Sequence, residues 1–283
     1  MLTARTVQRV VAAALEEDAP WGDLTSTAFL PQETQGTAQL IAREAGTLAG
    51  TDIVDAAFLQ TDGRIRVQWH AHDGDRFTVQ QTLATISGPA RGIVTAERVA
   101  LNFLQRMSGV ATLTSAFVDA VAGTGVRIAD SRKTTPGLRA LDRHAVRCGG
   151  GHNHRYSLSD AVMVKDNHLA LAMRAGLSVS AALRAARERL PHTTHVVVEV
   201  DRIDQIDEVL AGGADTILLD NFSPEQLREA VAAINGRAVC EASGGVTLDT
   251  VADISRTGVS VISVGALTHS ARALDIGLDV VVE

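Results

Sequence analysis

Short apolar runs that alternate with amphipathic segments fill the chain after residue 126. The runs are VRIAD, AVMVKD, VVVEVD, TILLDN, AVCEASGG and SVISVGA. Runs without polar alternation are typical of parallel strands buried on both faces, because the helices that return the chain cover the sheet on each side. The intervening segments have the period of helices, and Pro224 and Gly236 stand at the start and just past the end of one of them. The pattern therefore predicts repeated βα units with a parallel sheet.

Polar residues follow nearly every apolar run at its carboxyl end, as Asp130, Lys165 and Glu199 do. A β/α barrel builds its active site at this end from several strands. An open doubly wound sheet also binds ligands there, but at one crevice where the strand order reverses. Since all six runs contribute, we predict a barrel. Residues 126–283 are short for eight βα units, so the barrel should be incomplete.

The first third of the chain has a different pattern. A helical segment, TVQRVVAAALEED, is followed by short strand-like pieces that Gly and Asp-Gly turns separate. In one piece, Ile65, Val67 and Trp69 alternate with polar residues and share one face, as in a half-buried strand. We predict a smaller domain here, with a helix over residues 95–123 leading out of it.

The net charge of −7 and the pI near 5.7 argue against a surface for nucleic acid or anionic membranes. Cys148 and Cys240 are too few for a disulfide framework and lack the spacing of a zinc site. No apolar run approaches the length of a membrane span. We expect a cytoplasmic protein without a nucleic-acid or membrane partner.

The segment from residue 130 to residue 168 is basic, although the chain as a whole is acidic. It contains the only two lysines, Lys133 and Lys165, among 26 basic residues. Three interpretations fit: a solvated face, a Schiff-base lysine at Lys165, or a pocket for carboxylates and phosphates. The arginines around both lysines favour a ligand with several negative charges, since their planar forks bind such groups bidentately.

Two acids and two glycine turns suit a phosphorylated ligand. Glu199 and Asp220 end adjacent apolar runs, where they could share Mg²⁺ or pair with the basic segment as a structural network. The turns EASGGVT and SVGALTHS follow the last two runs. In barrels these last two strand-to-helix loops usually bind phosphate, because glycines let the backbone and the helix start approach the ligand.

Eight motifs occur along the chain in a fixed order: EEDAPWGDLTS, TAERVALNFLQRMSGVAT, DSRKTTPGLRALDRHAVRCGGGHNHR, VKDNH, VEVD, ILLDN, EASGGV and SVGALTHSARALDIGLD. With these motifs the sequence resembles the quinolinate phosphoribosyltransferase family over almost its whole length. The resemblance implies an α/β fold: a smaller N-terminal α/β sandwich domain over residues 1–110 and an incomplete, seven-stranded α/β barrel over residues 111–283. It also implies an active site shared across a homodimer, with a hexamer as the alternative assembly.

The resemblance implies roles for individual residues. Those for the quinolinate pocket are Arg98 (from the partner subunit), Ser131, Arg132, Lys133, His154, Arg155 and Lys165. Glu199 and Asp220 would form the Mg²⁺, diphosphate and ribose site, partly through substrate or water, and with Lys133 and Lys165 they would be the catalytic residues. Those for the 5-phosphate are Ser243, Gly244, Gly245, Val264, Gly265, Ala266 and His269.

The reaction implied is transfer of phosphoribosyl from phosphoribosyl diphosphate to quinolinate, giving nicotinate mononucleotide, diphosphate and CO₂ in NAD biosynthesis. Three alternatives stay open: a related transferase with a different acceptor, such as a paralogue linked to metal uptake, a non-catalytic anion-binding barrel, and a Schiff-base aldolase. The paired acids argue against the non-catalytic barrel, since a sensor needs no machinery for a leaving group.

Overall fold

The computed structural model describes residues 2–281 and divides into two compact units. The first unit comprises Met1–Ser115, Thr134–Gly150 and Leu267–Glu283, and the second comprises Ala116–Lys133 and Gly151–Ala266. The predicted domains, 1–110 and 111–283, divide the chain differently and stay a prediction. Residues 1, 282 and 283, which these predicted domains include, lie outside the described residues.

The first unit contains an antiparallel sheet with the strand order β12-β1-β5-β3. Its strands are β1 (Gln35–Ala42), β3 (Arg66–Trp69), β5 (Thr82–Pro89) and β12 (Ile276–Val280), and β2 (Gly46–Thr47) pairs with β4 (Arg76–Phe77) nearby in the sequence. The predicted alternation in β3 is confirmed, because Ile65 is buried and Val67 and Trp69 are half-buried while Arg66 and Gln68 are exposed. Strand β12, which pairs antiparallel with β1, has no counterpart among the elements predicted from the sequence.

The helices of the first unit begin with α1 (Ala4–Asp18), which Thr3 caps and which buries Val7, Val10 and Val11. The others are α2 (Leu24–Phe29), α3 (Thr51–Thr61), α4 (Ala90–Ala120), whose last residues belong to the second unit, and α5 (Arg139–Cys148). Helix α3 was not predicted. Its N-cap, Gly50, has a φ of 112°, and Asp73 accepts hydrogen bonds from the Gly50 and Thr51 amides. A distant carboxylate therefore stabilises this helix start, which local patterns do not reveal.

The second unit contains a parallel six-stranded sheet with the order β6-β11-β10-β9-β8-β7. Its strands are β6 (Arg127–Ala129), β7 (Val162–Val164), β8 (Val196–Val200), β9 (Thr216–Asp220), β10 (Val239–Ser243) and β11 (Val261–Ser263). Each predicted apolar run contains one of these strands. The predicted seventh strand is not confirmed: an isolated bridge between Ala129 and His152 extends the pairing beyond β6.

The helices that follow these strands are α6 (Asp166–Arg174), α7 (Val179–Arg187), α8 (Ile206–Ala211), α9 (Pro224–Ile234), α10 (Leu248–Ser255) and the short α11 (Ala266–His269). Helix α9 has the start and stop signals that the sequence predicts. Ser223 and Gln226 form a capping box, Pro224 occupies the first turn, and Asn235 closes the helix in a left-handed conformation. Within the described part of the chain, no single helix has the length and apolar composition to span a membrane. Helices α6 and α7 meet both criteria only when they are taken together, and the angle between them is 102°.

Candidate active site

The carboxyl ends of four neighbouring strands bring polar side chains together in the second unit. Lys165 directly follows β7, Glu199 lies near the end of β8, and Asp220 and Ser243 end β9 and β10. The parallel register aligns Asp220 with Ser243. Because side chains at aligned positions of parallel strands point to the same face, the sheet gathers these residues at one edge.

Lys165 and Glu199 form an ion pair at this edge. The Lys165 Nζ donates a hydrogen bond to the Glu199 Oε2 at 2.7 Å, and the two side chains are 48% and 16% exposed. An ammonium has three donors, so this contact leaves donors for a ligand. A Schiff-base lysine reacts as a neutral amine, whereas this side chain is engaged by a carboxylate. The contact therefore favours anion binding over an aldolase.

Two arginines of the predicted pocket lie near each other. Burial lowers the pKa of Arg155 below its ordinary value, and the positive charge of Arg132 lowers this pKa further. The Arg155 Nη1 donates to the Ala161 carbonyl oxygen at 3.1 Å. The Arg132 Nε is buried and, among the described residues, has no hydrogen-bond partner. Two guanidinium groups with an unsatisfied buried donor form a place where an anion would be stabilised.

The loop after β6 carries the other predicted residues of the basic segment. Ser131 and Arg132 are half-buried and Lys133 is exposed. The Lys133 amide donates to the Ser131 Oγ at 3.2 Å, which holds the loop in a local turn. These three residues and Arg155 belong to the same unit as Lys165 and Glu199.

The turn after β10 is shaped by two consecutive glycines with positive φ, +94° at Gly244 and +57° at Gly245. A Cβ added at Gly244 would lie 2.2 Å from the Asn221 Oδ1, so only glycine fits beside that side chain. A Cβ at Gly245 would meet nothing within 4 Å, so its backbone borders open space. The neighbouring turn, Val264 to Ala266, is fixed because the Val264 amide donates to the Ala129 carbonyl oxygen at 2.9 Å.

Glu199 and Asp220 are the predicted magnesium ligands, and their chemistry suits that ion. Both are half-buried carboxylates on the paired strands β8 and β9. One oxygen of Glu199 accepts from Lys165, and one oxygen of Asp220 accepts from the Asn221 Nδ2 at 2.7 Å. Among the described contacts, each acid keeps its second oxygen for another partner. Hard oxygen donors of this kind fit Mg²⁺.

A second group of possible metal ligands lies in the first unit, where donor atoms of Asp73, His144 and Cys148 are within 4.8 Å of one another. Hydrogen bonds of Asp73 explain why these three side chains lie close together. The Asp73 carboxylate caps α3, and its Oδ2 lies 2.6 Å from the His144 Nε2. Burial, together with the negative charge of Asp73, raises the pKa of Cys148 to about 12. The thiol thus stays protonated, and we assign no metal here.

Two predicted site residues belong to the first unit. Arg98 is an exposed residue of α4, and His269 is an exposed residue at the end of α11. The His269 Nδ1 lies 2.7 Å from the Ser270 Oγ. Their roles at the site stay predictions.

A carboxylate network that the sequence analysis did not assign lies beneath the basic residues. Asp130 is fully buried and accepts from the Asn153 Nδ2 and the His154 amide, both at 2.7 Å. Glu241 is also buried, 3.3 Å from the His154 Nε2. The alternation of β10 contains a signal for Glu241, because it lies two residues before Ser243 and so faces the same side. Asp130 carries a different local signal, because it ends the apolar run VRIAD.

Comparison with protein families gives two matches that together span most of the chain. The N-terminal domain model of quinolinate phosphoribosyl transferase matches residues 23–108, and the C-terminal domain model matches residues 110–279.

Individual relatives agree with the family models. The nicotinate-nucleotide pyrophosphorylase [carboxylating] of Mycobacterium leprae is 46% identical over 277 residues, 95% of each chain. The probable enzyme of that name from Bacillus subtilis is 40% identical over 264 residues, 93% of this chain and 90% of the relative. The solved nicotinate-nucleotide pyrophosphorylase of Francisella tularensis superimposes with a TM-score of 0.93 at 35% identity, covering 99% of this chain and 98% of that one.

Proposed function

The chain belongs to the quinolinate phosphoribosyltransferase family, and we propose that the polar edge of its second unit carries out the reaction of that family. The enzyme is a carboxylating nicotinate-nucleotide pyrophosphorylase of NAD biosynthesis. It transfers phosphoribosyl from 5-phosphoribosyl 1-diphosphate to quinolinate, and the products are nicotinate mononucleotide, diphosphate and CO₂.

The pairing of Arg132 and Arg155 is the observation that carries the assignment of the quinolinate pocket. The charge of Arg132 contributes to the lowered pKa of Arg155, and the buried Nε of Arg132 lacks a partner among the described residues. A dicarboxylate would neutralise both guanidinium groups and satisfy that donor. Lys165 would add a third cation, already oriented by Glu199, and Lys133, Ser131 and His154 would complete the pocket. We place the two carboxylates of quinolinate among these groups.

The bond changes follow from that placement. The ring nitrogen of quinolinate attacks the anomeric carbon as the bond from this carbon to the diphosphate oxygen breaks. The clamped carboxylates hold the nitrogen in line with the reacting carbon. The bond from ring carbon 2 to its carboxylate then breaks, and CO₂ leaves while the electron pair stays on carbon 2, stabilised by the positive charge of the adjacent pyridinium nitrogen. A proton from solvent replaces the carboxylate at carbon 2. No dedicated general base is required.

We propose that Mg²⁺ binds at Glu199 and Asp220, directly or through substrate and water. When bound, the ion supplies positive charge that stabilises the diphosphate leaving group. The chain's own contribution is to fix the two acids on adjacent strands, where they also orient the ribose. Gly244, Gly245 and the turn from Val264 to Ala266 would hold the 5-phosphate, with His269 alongside.

Three further assignments rest on the family resemblance. We propose a homodimer with shared active sites, in which Arg98 of each subunit enters the partner's quinolinate pocket. We propose that the segment around His152 serves as the seventh strand of the barrel, since it already forms a bridge to Ala129. A cytoplasmic location is the third assignment.

A diphosphate-release assay with quinolinate and nicotinate side by side tests the proposed function. We expect strong preference for quinolinate, because nicotinate has one carboxylate and would leave part of the cationic pocket unpaired. An unpaired buried charge costs several kcal/mol, which corresponds to a kcat/KM ratio of at least about a hundred. Comparable kcat/KM values for the two acids would contradict the pocket assignment, and mass spectrometry of the product identifies the acceptor.

A further inference from the structure

The imidazole of His154 has a protein group beside each of its two nitrogens. The Arg155 amide donates a hydrogen bond of 2.7 Å to the His154 Nδ1. A nitrogen that accepts a hydrogen bond has no proton, so the ring proton belongs on Nε2. The Nε2 lies 3.3 Å from the Glu241 Oε1, with the His154 side chain 13% exposed. The ring Nε2 therefore lies beside a carboxylate of the protein.

Glu241 needs this neighbour because its own surroundings offer little else. The side chain is 4% exposed, and its Oε1 makes no hydrogen bond of full geometry among the described residues. It borders a cavity of about 410 Å³ that His154, Arg155 and Thr216 also line. A buried carboxylate without a partner is strongly destabilising. The imidazole N–H is the group placed to compensate its charge.

Asp130 holds the same short segment from the other side. Its carboxylate accepts from the His154 amide and from the Asn153 side chain. The segment from Asn153 to Arg155 is thus held by Asp130, and the His154 ring of this segment lies beside Glu241. The Arg155 amide, bonded to that ring, fixes where the arginine side chain leaves the backbone.

We propose that Glu241 is a positioning residue for quinolinate binding, acting through His154 on Arg155. It keeps the ring in the tautomer with the proton on Nε2, and the ring in turn orients the arginine that clamps a substrate carboxylate. His154 then contributes to the quinolinate pocket through Arg155, with its Nε2 directed to Glu241, whereas the resemblance implies direct contact with quinolinate. The proposal rests on the proposed function for the part that Arg155 plays.

Steady-state kinetics of Glu241 variants test the positioning role. We expect Glu241→Ala to raise the KM for quinolinate about tenfold or more, with the KM for phosphoribosyl diphosphate changed less than about twofold. Glu241→Gln keeps an oxygen for the ring N–H, so it should restore most of the quinolinate affinity. Thr216→Val is the matched control, because Thr216 lines the same cavity but is bonded to His195. An equal rise of both KM values in Glu241→Ala, or the same loss in the control, would overturn the proposal.

The tautomer is measured independently of activity by nitrogen-15 NMR of labelled histidine, with the His154 signals identified by their loss in His154→Gln. We expect an unprotonated Nδ1 and a protonated Nε2, with and without quinolinate. A proton on Nδ1, or an Nε2–H signal that shifts strongly when quinolinate binds, would show that the ring serves the substrate directly. The expected tautomer with unchanged quinolinate KM in Glu241→Ala would also refute the positioning role. Failure of the proposed function would appear differently, as wild-type enzyme that does not turn over quinolinate.

Discussion

The chain uses arginine at 24 of its 26 basic positions and lysine only at residues 133 and 165. The structure gives a physical reason for the second lysine. Lys165 follows β7 directly, and its ammonium meets one oxygen of Glu199 at 2.7 Å. A compact ammonium makes that contact and still has donors for a ligand, whereas a planar guanidinium is larger and tends to engage both carboxylate oxygens.

Lys165→Arg should therefore lower kcat by at least about tenfold although the charge is kept. The guanidinium would occupy Glu199 more fully and reach further into the site. Steady-state kinetics with both substrates measure the effect, and thermal melting checks that the fold is retained. Arg228→Lys, on the exposed face of α9, controls for an exchange of basic residues elsewhere. Near-normal turnover in Lys165→Arg would show that only the charge matters.

At the scale of single elements, backbone geometry shapes the proposed phosphate site. Gly244 and Gly245 both have positive φ, but only the first is crowded, by Asn221. The open space at Gly245 is what a ligand that approaches the backbone requires.

Gly245→Ala compared with Gly236→Ala separates backbone strain from ligand contact. Both glycines have positive φ, and a Cβ at either position meets nothing within 4 Å. Each substitution should cost roughly 1 kcal/mol of stability, seen as similar losses of Tm. Only Gly245→Ala should raise the KM for phosphoribosyl diphosphate, because its methyl group would enter the phosphate site. Equal KM values in the two variants would remove this turn from the site.

Strand β12 is joined to the rest of the first unit by charged side chains as well as by its pairing with β1. Arg43 contacts Asp279 at 2.5 Å, and Arg272 donates to Glu44 just before the strand. The hydrogen bond from Arg272, with a smaller contribution from the Asp275 amide, lowers the pKa of Glu44 to about 2.

A carboxylate with a lowered folded-state pKa stabilises the fold above its ordinary pKa and loses that contribution as the pH falls through the folded-state value. Glu44→Gln should accordingly lower Tm at pH 7, and the difference from wild type should shrink between pH 4.5, its ordinary pKa, and pH 2. The loss should be small, on the order of one or two degrees, because solvent screens this exposed pair. Melting curves across this range provide the measurement, with Glu17→Gln at the end of α1 as the control. A Tm difference that persists at pH 2 would contradict the ion-pair explanation.

At the scale of the whole molecule, the proposed dimer makes each active site depend on two chains. Arg98 is exposed on α4, beside the buried residues Val99, Leu104 and Met107. Its helix thus buries one face within its own unit and presents the arginine to solvent. In a two-fold dimer, each subunit would lend this residue to the other.

Mixing two inactive variants tests that exchange. Arg98→Ala and Lys165→Ala chains, combined in equal amounts, should form heterodimers that carry one intact site. Random pairing then restores activity to about a quarter of wild type. Native mass spectrometry verifies that subunits have exchanged. Heterodimers without regained activity would show that Arg98 serves its own chain.

Local patterns in the sequence were sufficient to predict the six strands of the parallel sheet and the polar residues at their ends. Each strand is a short apolar run with helical segments on either side, and the polar residues follow at its carboxyl end. Because these signals lie within one short segment, the strand can be predicted without knowledge of distant contacts. The motifs were also sufficient to identify the family. The helix α9 followed from its own capping residues for the same reason.

Features that depend on residues far apart in the sequence were decided by tertiary structure alone. The start of α3 depends on a carboxylate 23 residues from Gly50, and β12 finds its partner β1 from the opposite end of the chain. The contact between His154 and Glu241 likewise joins a loop to a strand that follows much later. These contacts have no local period or capping signal, because their free energy is gained only when the folded chain brings the two groups together.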